Sequence, residues 1–373
     1  MPRLPNILAA ACWALPAVAS AQPGAAPSGA APTFAVGTAA AARGTTAYGA
    51  LVVPAAVDSG LRIPVAVIHG VRPGRVVAFV AGSHGTEYAS IVAMQRLIAR
   101  VDPARLTGTV IVVPLVNVAS IEGMVPHLNP VDRKSMNGNY PGDPQGTQTQ
   151  RALAAVAREV VAPADVVVDL HGGDLDEDLR PYSYWFRGGR AAQDSAGRAL
   201  ALAFGLDHVI VTDVDPAAPT AGRSLSGHAL VNGKTVLVAE AGRSGTVADE
   251  DVKALVDGSL GALAALGMTD GAARTVARTG APKITWLAGA GARVAADSGG
   301  MFFATVRRDT RVRKGDVVGY TTDYLGRRTG DVRAPIDGLV TFVRGVPSMW
   351  PRATLVNVAP VLDAPAPWAR PTP

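Results

Sequence analysis

Four apolar runs of strand length recur along the first part of this chain, at 76–81, 109–115, 164–170 and 235–239. Helical patterns lie between and after them, over 90–98, 148–161, 192–204 and 249–267. Continuous apolar strands alternating with helices predict an α/β domain with a mixed, mainly parallel sheet flanked by helices. Residues 51–54 and 62–68 read as an antiparallel start to that sheet, and 119–149 and 172–190 read as long loops. From about 283 the texture changes to short strands and Gly turns, which predicts a small C-terminal all-β barrel-sandwich domain. The expected division is a signal peptide over 1–21, a flexible Ala/Pro/Gly lead-in over 22–45 and the α/β domain over 46–269. A linker over 270–282, the β domain over 283–362 and a tail over 363–373 complete it.

The ends of the apolar runs carry the chemistry. His84 and Glu87 follow the run at 76–81, just where an amphipathic helix begins. A spacing of three puts both on one side of a helical turn. His171 ends the run at 164–170, and Glu240 ends the run at 235–239. In a parallel sheet these ends share one edge, where open α/β folds build their sites. His84, Glu87 and His171 form a His₂Glu set, a donor combination that suits one Zn²⁺ per chain and leaves a fourth position open. Zinc in such a site activates water and polarises a carbonyl. Glu240 is then the free carboxylate that takes the water's proton. Structural alternatives stay open: Ser83 or Thr86 as a helix cap, His171 as a satisfied buried histidine, Glu240 as a capping or ion-paired residue.

Composition narrows the classes. Of 373 residues, 48% are hydrophobic and 17% charged, the balance of a globular protein with a large core. The net charge of +5 comes from scattered residues, with Arg far outnumbering Lys. No basic run or nucleic-acid module is present, so no nucleic-acid partner is expected. Arg3, an apolar stretch over 7–18 and Ala19-Ser20-Ala21 form a secretory signal pattern, too short to span a bilayer. A periplasmic or secreted protein follows, cleaved after Ala21. The single cysteine, Cys12, lies in that segment. Beyond it no thiolate ligand, thiol nucleophile or disulfide is available, so a metal must be held by His and carboxylate.

Several segments, in order and spacing, resemble the succinylglutamate desuccinylase/aspartoacylase family of zinc carboxypeptidase-like hydrolases. They are residues 81–87, Pro114-Leu115-Val116-Asn117, Asn137-Gly138-Asn139-Tyr140-Pro141-Gly142, residues 165–171 and Glu240-Ala241-Gly242. The resemblance covers about 50–267. It implies zinc on His84, Glu87 and His171, Glu240 as general base, and cleavage of an N-acyl amide of a small amino-acid-like or amine substrate. It also points to Asn117 and Asn137 as substrate-binding positions. Two departures bear on the substrate. The family usually has Asn-Arg at Asn137-Gly138, and an arginine where His127 stands. A bidentate arginine clamp is not replaceable by glycine. Arg133 or Arg180 is expected to compensate, with His127 as a weaker oxyanion donor. The acidic run Asp174, Asp176, Glu177, Asp178 reads first as a solvated loop and second as an attractor of a cationic substrate. The missing arginines predict weak preference for a substrate α-carboxylate. The C-terminal module resembles a biotinyl/lipoyl-type barrel sandwich without a modifiable lysine tip, which implies a structural wall or lid of the site. A zinc carboxypeptidase or cell-wall peptide hydrolase is the alternative enzyme, and a non-catalytic binding protein on the same fold is the alternative class.

Overall fold

The β-branched and aliphatic runs of the chain condense into one large mixed sheet. The computed structural model describes residues 33–269, 283–289 and 291–365. The signal peptide, the linker and most of the expected tail lie outside the described residues. From Thr33 onward the chain forms a single compact unit.

The sheet runs in the order Thr45–Val53, Leu61–His69, Thr107–Val113, Arg72–Ala81, Val166–His171, Thr235–Arg243, Glu177–Arg187. Its centre is parallel: Arg72–Ala81 pairs in parallel with both Thr107–Val113 and Val166–His171, and Val166–His171 with Thr235–Arg243. The flanks are antiparallel. The sheet is therefore mixed with a parallel core rather than mainly parallel. Hairpin connections at the start of the chain, and the return of the chain through Glu177–Arg187, supply the antiparallel pairings.

Alternation along each central strand divides the core. Val77, Phe79, Val166, Val168, Leu170, Leu237 and Ala239 face the helices Tyr88–Arg100, Ala191–Phe204 and Asp249–Ala265. Ala78, Val80, Ile111, Val167 and Val236 face the helices Gln148–Val156 and Leu225–Val231. Both layers are almost fully buried, and each fully buried Leu, Ile or Phe contributes about 1.5–3 kcal/mol. Period 2 then dictates that Asp169 and His171 project to the same side as Val167, and Glu240 to the same side as Val236. The site forms on that side.

Two expectations are corrected. The lead-in is, from Thr33, a hairpin of Thr33–Val36 and Ala39–Ala42. Its Val36, Ala39 and Ala41 pack on Leu51 in the buried core, because small side chains allow close approach where composition alone reads as flexibility. The loop expected over 172–190 is mostly the strand Glu177–Arg187. Its run Tyr182-Ser183-Tyr184-Trp185-Phe186 has strand chemistry, and the Arg180-Pro181 pair sits at a bulge. Glu240 pairs with Tyr182 and Gly242 with Leu179, so Arg180 and Pro181 together oppose Ala241. Proline tolerates that position because a bulge frees it from the ladder.

The C-terminal residues are all-β and bury a cluster of their own around Phe302, Val318, Val340 and Val356. Their sheet is nonetheless continuous with the main one. Gly338–Arg344 pairs antiparallel with the start of Glu177–Arg187, and Thr354–Ala359 and Ala292–Ala295 follow outward. Thr285–Ala288 adds in parallel to His208–Asp213, beside the other half of Glu177–Arg187. The long strand is thus the seam through which the β module reaches the site.

Candidate active site

The turn at residues 82–87 is held by close backbone packing. Gly82 has φ +65, and a Cβ there would lie 2.8 Å from Leu115 Cα. A Cβ on Gly85 would lie 2.5 Å from Ile121 N, so the helix starting after Asn117 fits against the turn only because residue 85 has no side chain. Asn117 caps that helix, its Oδ1 accepting from Ser120 N at 3.3 Å, and its Nδ2 donates to Ser83 O at 3.4 Å. Asn117 therefore braces the turn that carries His84.

On this frame three side chains converge. His84 Nδ1 lies 2.7 Å from Glu87 Oε1, and His171 Nδ1 lies 3.1 Å from Glu87 Oε2. One ligand atom from each of His84, Glu87 and His171 lies within 4.8 Å of the others. The Gly172 N–H also donates to Glu87 Oε2 at 3.0 Å. Burial raises the Glu87 carboxyl, but the charges and hydrogen bonds of His171 and His84 outweigh it and hold it far below the usual range. An ionised carboxylate between two imidazoles is a donor set that fits a divalent cation such as zinc. Asp169 stands behind His171, 3.2 Å from Nε2, in the place of the carboxylate that orients a ligating histidine.

Glu240 lies opposite His171 across the parallel ladder. Burial pushes its carboxyl well above the ordinary value; His171 opposes this, and the carboxylates of Glu87, Glu177 and Asp169 add to it. A buried carboxyl beside the candidate ligand set is placed to exchange a proton with a group bound there.

These groups open into a cavity of about 490 Å³. His84, Glu87, Asp169, His171 and Glu240 form its floor, and Asn137 lies beside them, its Nδ2 3.5 Å from His84 Nε2. Tyr182, Tyr184 and Phe186 form an aromatic wall, with Tyr184 and Phe186 stacked at 5.7 Å. The C-terminal module supplies Arg293, Phe342, Thr354 and Asn357.

The remaining expected site residues fall elsewhere. Arg180 does not line the cavity; it bridges Asp207 at 2.5 Å and Asp309 at 2.7 Å and ties the long strand to the C-terminal module. Arg133 also lies off the cavity, in a tight turn with φ 58 whose N–H bonds Asn129 O at 2.8 Å. His127 packs edge-on to His84 at 5.7 Å without lining the cavity. Its Nδ1 lies 3.2 Å from Asp174 and its Nε2 3.0 Å from Asp176. Burial lowers its pKa, but the Asp176 hydrogen bond and the charges of Glu177 and Asp174 prevail and push it up to about 9. Both ring nitrogens of His127 face carboxylates, Nδ1 Asp174 and Nε2 Asp176, rather than the cavity.

The acidic run is likewise not a solvated loop. Asp174 is fully buried and bonded by Thr86 Oγ1, and Asp176 pairs with Arg344 at 2.9 Å. Asp178 meets Arg308 at 3.4 Å. Of the run, Glu177 alone lines the cavity, where burial pushes its carboxyl up to about 7. Asp169 and Arg293 line the cavity without having been expected there, and Glu177, expected within the acidic run, joins them. The i, i+2 spacing of Asp169 and His171 on one strand face was the available signal for the first.

Three side chains able to hold a metal ion and a buried carboxylate at neighbouring strand ends of an α/β sheet are a layout that fits metal-assisted hydrolysis. A model of the succinylglutamate desuccinylase/aspartoacylase catalytic domain matches residues 73–266, more than half of the chain, and the chain belongs to that family. An N-alpha-acetyl-L-2,4-diaminobutyric acid deacetylase from Halomonas elongata is 27% identical over 326 residues, spanning 86% of this chain and 89% of the relative. A crystal structure of a succinylglutamate desuccinylase/aspartoacylase from Rhodobacter sphaeroides superposes with a TM-score of 0.74 at 26% identity, over 86% of this chain and 96% of that one. The product-bound ectoine utilization protein EutE from Ruegeria pomeroyi shares the fold, with a TM-score of 0.74 at 22% identity over 84% and 95%.

Proposed function

We propose that this protein is a zinc-dependent deacylase that hydrolyses the N-acyl amide of a small amino-acid-like substrate. The observation that carries the reading is the convergence of His84, Glu87, His171 and Glu240 in one cavity. The family membership and the deacetylase named for the Halomonas relative support the amide as the bond attacked.

In this reading His84, Glu87 and His171 hold one zinc ion. When bound, zinc supplies Lewis acidity to the acyl carbonyl and lowers the pKa of nearby water. Glu240 accepts a proton from the attacking water and passes it to the amide nitrogen as the C–N bond breaks. The products are a carboxylate and an amine. Asp169 fixes the orientation of His171. Tyr182, Tyr184 and Phe186 offer the substrate an aromatic surface along the cavity.

Screening N-acyl amino acids, their carboxamides and short peptides with the zinc-loaded protein tests the reading. Turnover of N-acyl compounds that is lost on chelation and restored by zinc is the expected result. Cleavage of peptides alone would instead indicate a carboxypeptidase, and no turnover with tight ligand binding would indicate a binding protein.

A further inference from the structure

The two positions at which the family's arginines are expected offer no guanidinium here. Gly138 has no side chain, and His127 is committed to Asp174 and Asp176. Arg180 is committed to Asp207 and Asp309. The cavity floor is rich in carboxylates: Glu87, Asp169, Glu177 and Glu240. An N-acyl amino acid bound with its acyl end toward these groups brings its own α-carboxylate into the cavity, and that group needs a cationic partner.

Arg293 is the one Arg or Lys among the described residues that line the cavity. It lies on the strand Ala292–Ala295 of the C-terminal module, is solvent-exposed, and has no ion-pair partner among the described residues. Its cross-strand neighbour is Asn357, which also lines the cavity and whose Oδ1 is buried without a hydrogen-bond partner. Gly291 completes this corner, and a Cβ there would lie 2.9 Å from Asn357 Oδ1. The unpaired guanidinium offers a donor fork for a carboxylate, with the Asn357 amide as its polar neighbour across the strand pair. Structural arginines at the same seam are different: Arg180, Arg308 and Arg344 each have an acidic partner.

We propose that Arg293 is the specificity-determining residue that binds the substrate's α-carboxylate. The β module thereby supplies the anchor that the main domain lacks at Gly138 and His127. The inference rests on the deacylase reading for the identity of the substrate and reverses the expectation that a carboxylate would be dispensable.

The test uses the full chain, zinc-loaded, with Glu240→Gln as a non-turning background. Calorimetry would compare a panel of Nα-acetyl amino acids with their carboxamides, with and without Arg293→Gln. The background is expected to bind the carboxylates about 10- to 100-fold tighter, the range for a charge-assisted bidentate contact. Arg293→Gln should abolish that difference and leave carboxamide affinity within about twofold. Arg293→Lys should restore part of it, because the charge returns without the fork. A preference that survives Arg293→Gln, no preference in the background, or no binding of any panel member would overturn the proposal. The outcomes separate from those of the deacylase reading. Turnover of acyl compounds without carboxylate preference removes the role of Arg293 alone. Carboxylate binding that depends on Arg293, without turnover in the wild-type enzyme, removes the deacylase reading alone.

Discussion

Glu240 and His171 are directly paired residues of two adjacent parallel strands and project to the same face. Neighbouring strand ends therefore deliver the candidate ligand imidazole and the carboxyl group of Glu240 side by side, with no loop needed to position either. The ladder fixes their separation and ends at this pair, and on the other side of Thr235–Arg243 a bulge opposite Ala241 shifts the register with Glu177–Arg187. Rigid elements hold catalytic geometry better than loops do.

Asp169 is expected to act through His171. Changing Asp169→Ala should weaken zinc affinity about 10- to 100-fold, the usual effect of removing a ligand's orienting partner, while the sheet stays folded. Competition with a chromophoric chelator measures the affinity, and circular dichroism checks the fold. An unchanged zinc Kd would show that Asp169 is only a packing partner.

Arg344 holds the β module to the buried loop at Asp176. Both side chains are nearly inaccessible, and the pair is 2.9 Å apart. Arg344→Met should cost about 1.5–3 kcal/mol, because it removes one charge-assisted partner of Asp176 and leaves His127 as the other. The double variant with Asp176→Asn should recover part of that loss. Urea midpoints of the four proteins give the coupling. Additive losses would mean that the pair is not an energetic unit.

Asp132 should set part of the acid limb of stability. Burial raises its carboxyl, but bonds from Thr147, Thr149 and the Lys134 N–H outweigh that and hold it below the usual value. Its oxygens accept from Thr149 N at 2.9 Å and Thr149 Oγ1 at 2.8 Å, at the start of the helix Gln148–Val156. A depressed folded pKa contributes stability that is present above the unfolded value of about 3.9 and is lost as pH falls through the folded one. Asp132→Asn should therefore cost about 1 kcal/mol at neutral pH, and the gap to wild type should close as pH falls below about 4. A gap constant with pH would assign the loss to shape rather than charge.

How much was legible in the sequence follows from how locally each feature is determined. His84, Glu87, His171 and Glu240 each end an apolar run, and strand ends of a parallel core share an edge whatever the loops do. Their meeting place could therefore be read in advance. The strand Glu177–Arg187 was hidden because its first half carries acids and an Arg-Pro pair that resemble a loop; only pairing with Thr235–Arg243 and Gly338–Arg344 reveals it. Arg180 looked free for substrate because Asp207 and Asp309 are distant in sequence. Arg293 was passed over for the same reason, since its place at the cavity depends on the β module joining the long strand.

The role of Glu240 is the centre of the account, and one comparison tests it most directly. Wild-type and Glu240→Gln proteins would be loaded with zinc to the same stoichiometry and assayed on the best N-acyl amino acid found. The expected result is one zinc per chain in both and a fall in kcat of at least about a hundredfold in the variant, the lower range for loss of a general base. Equal turnover at equal zinc content would contradict it.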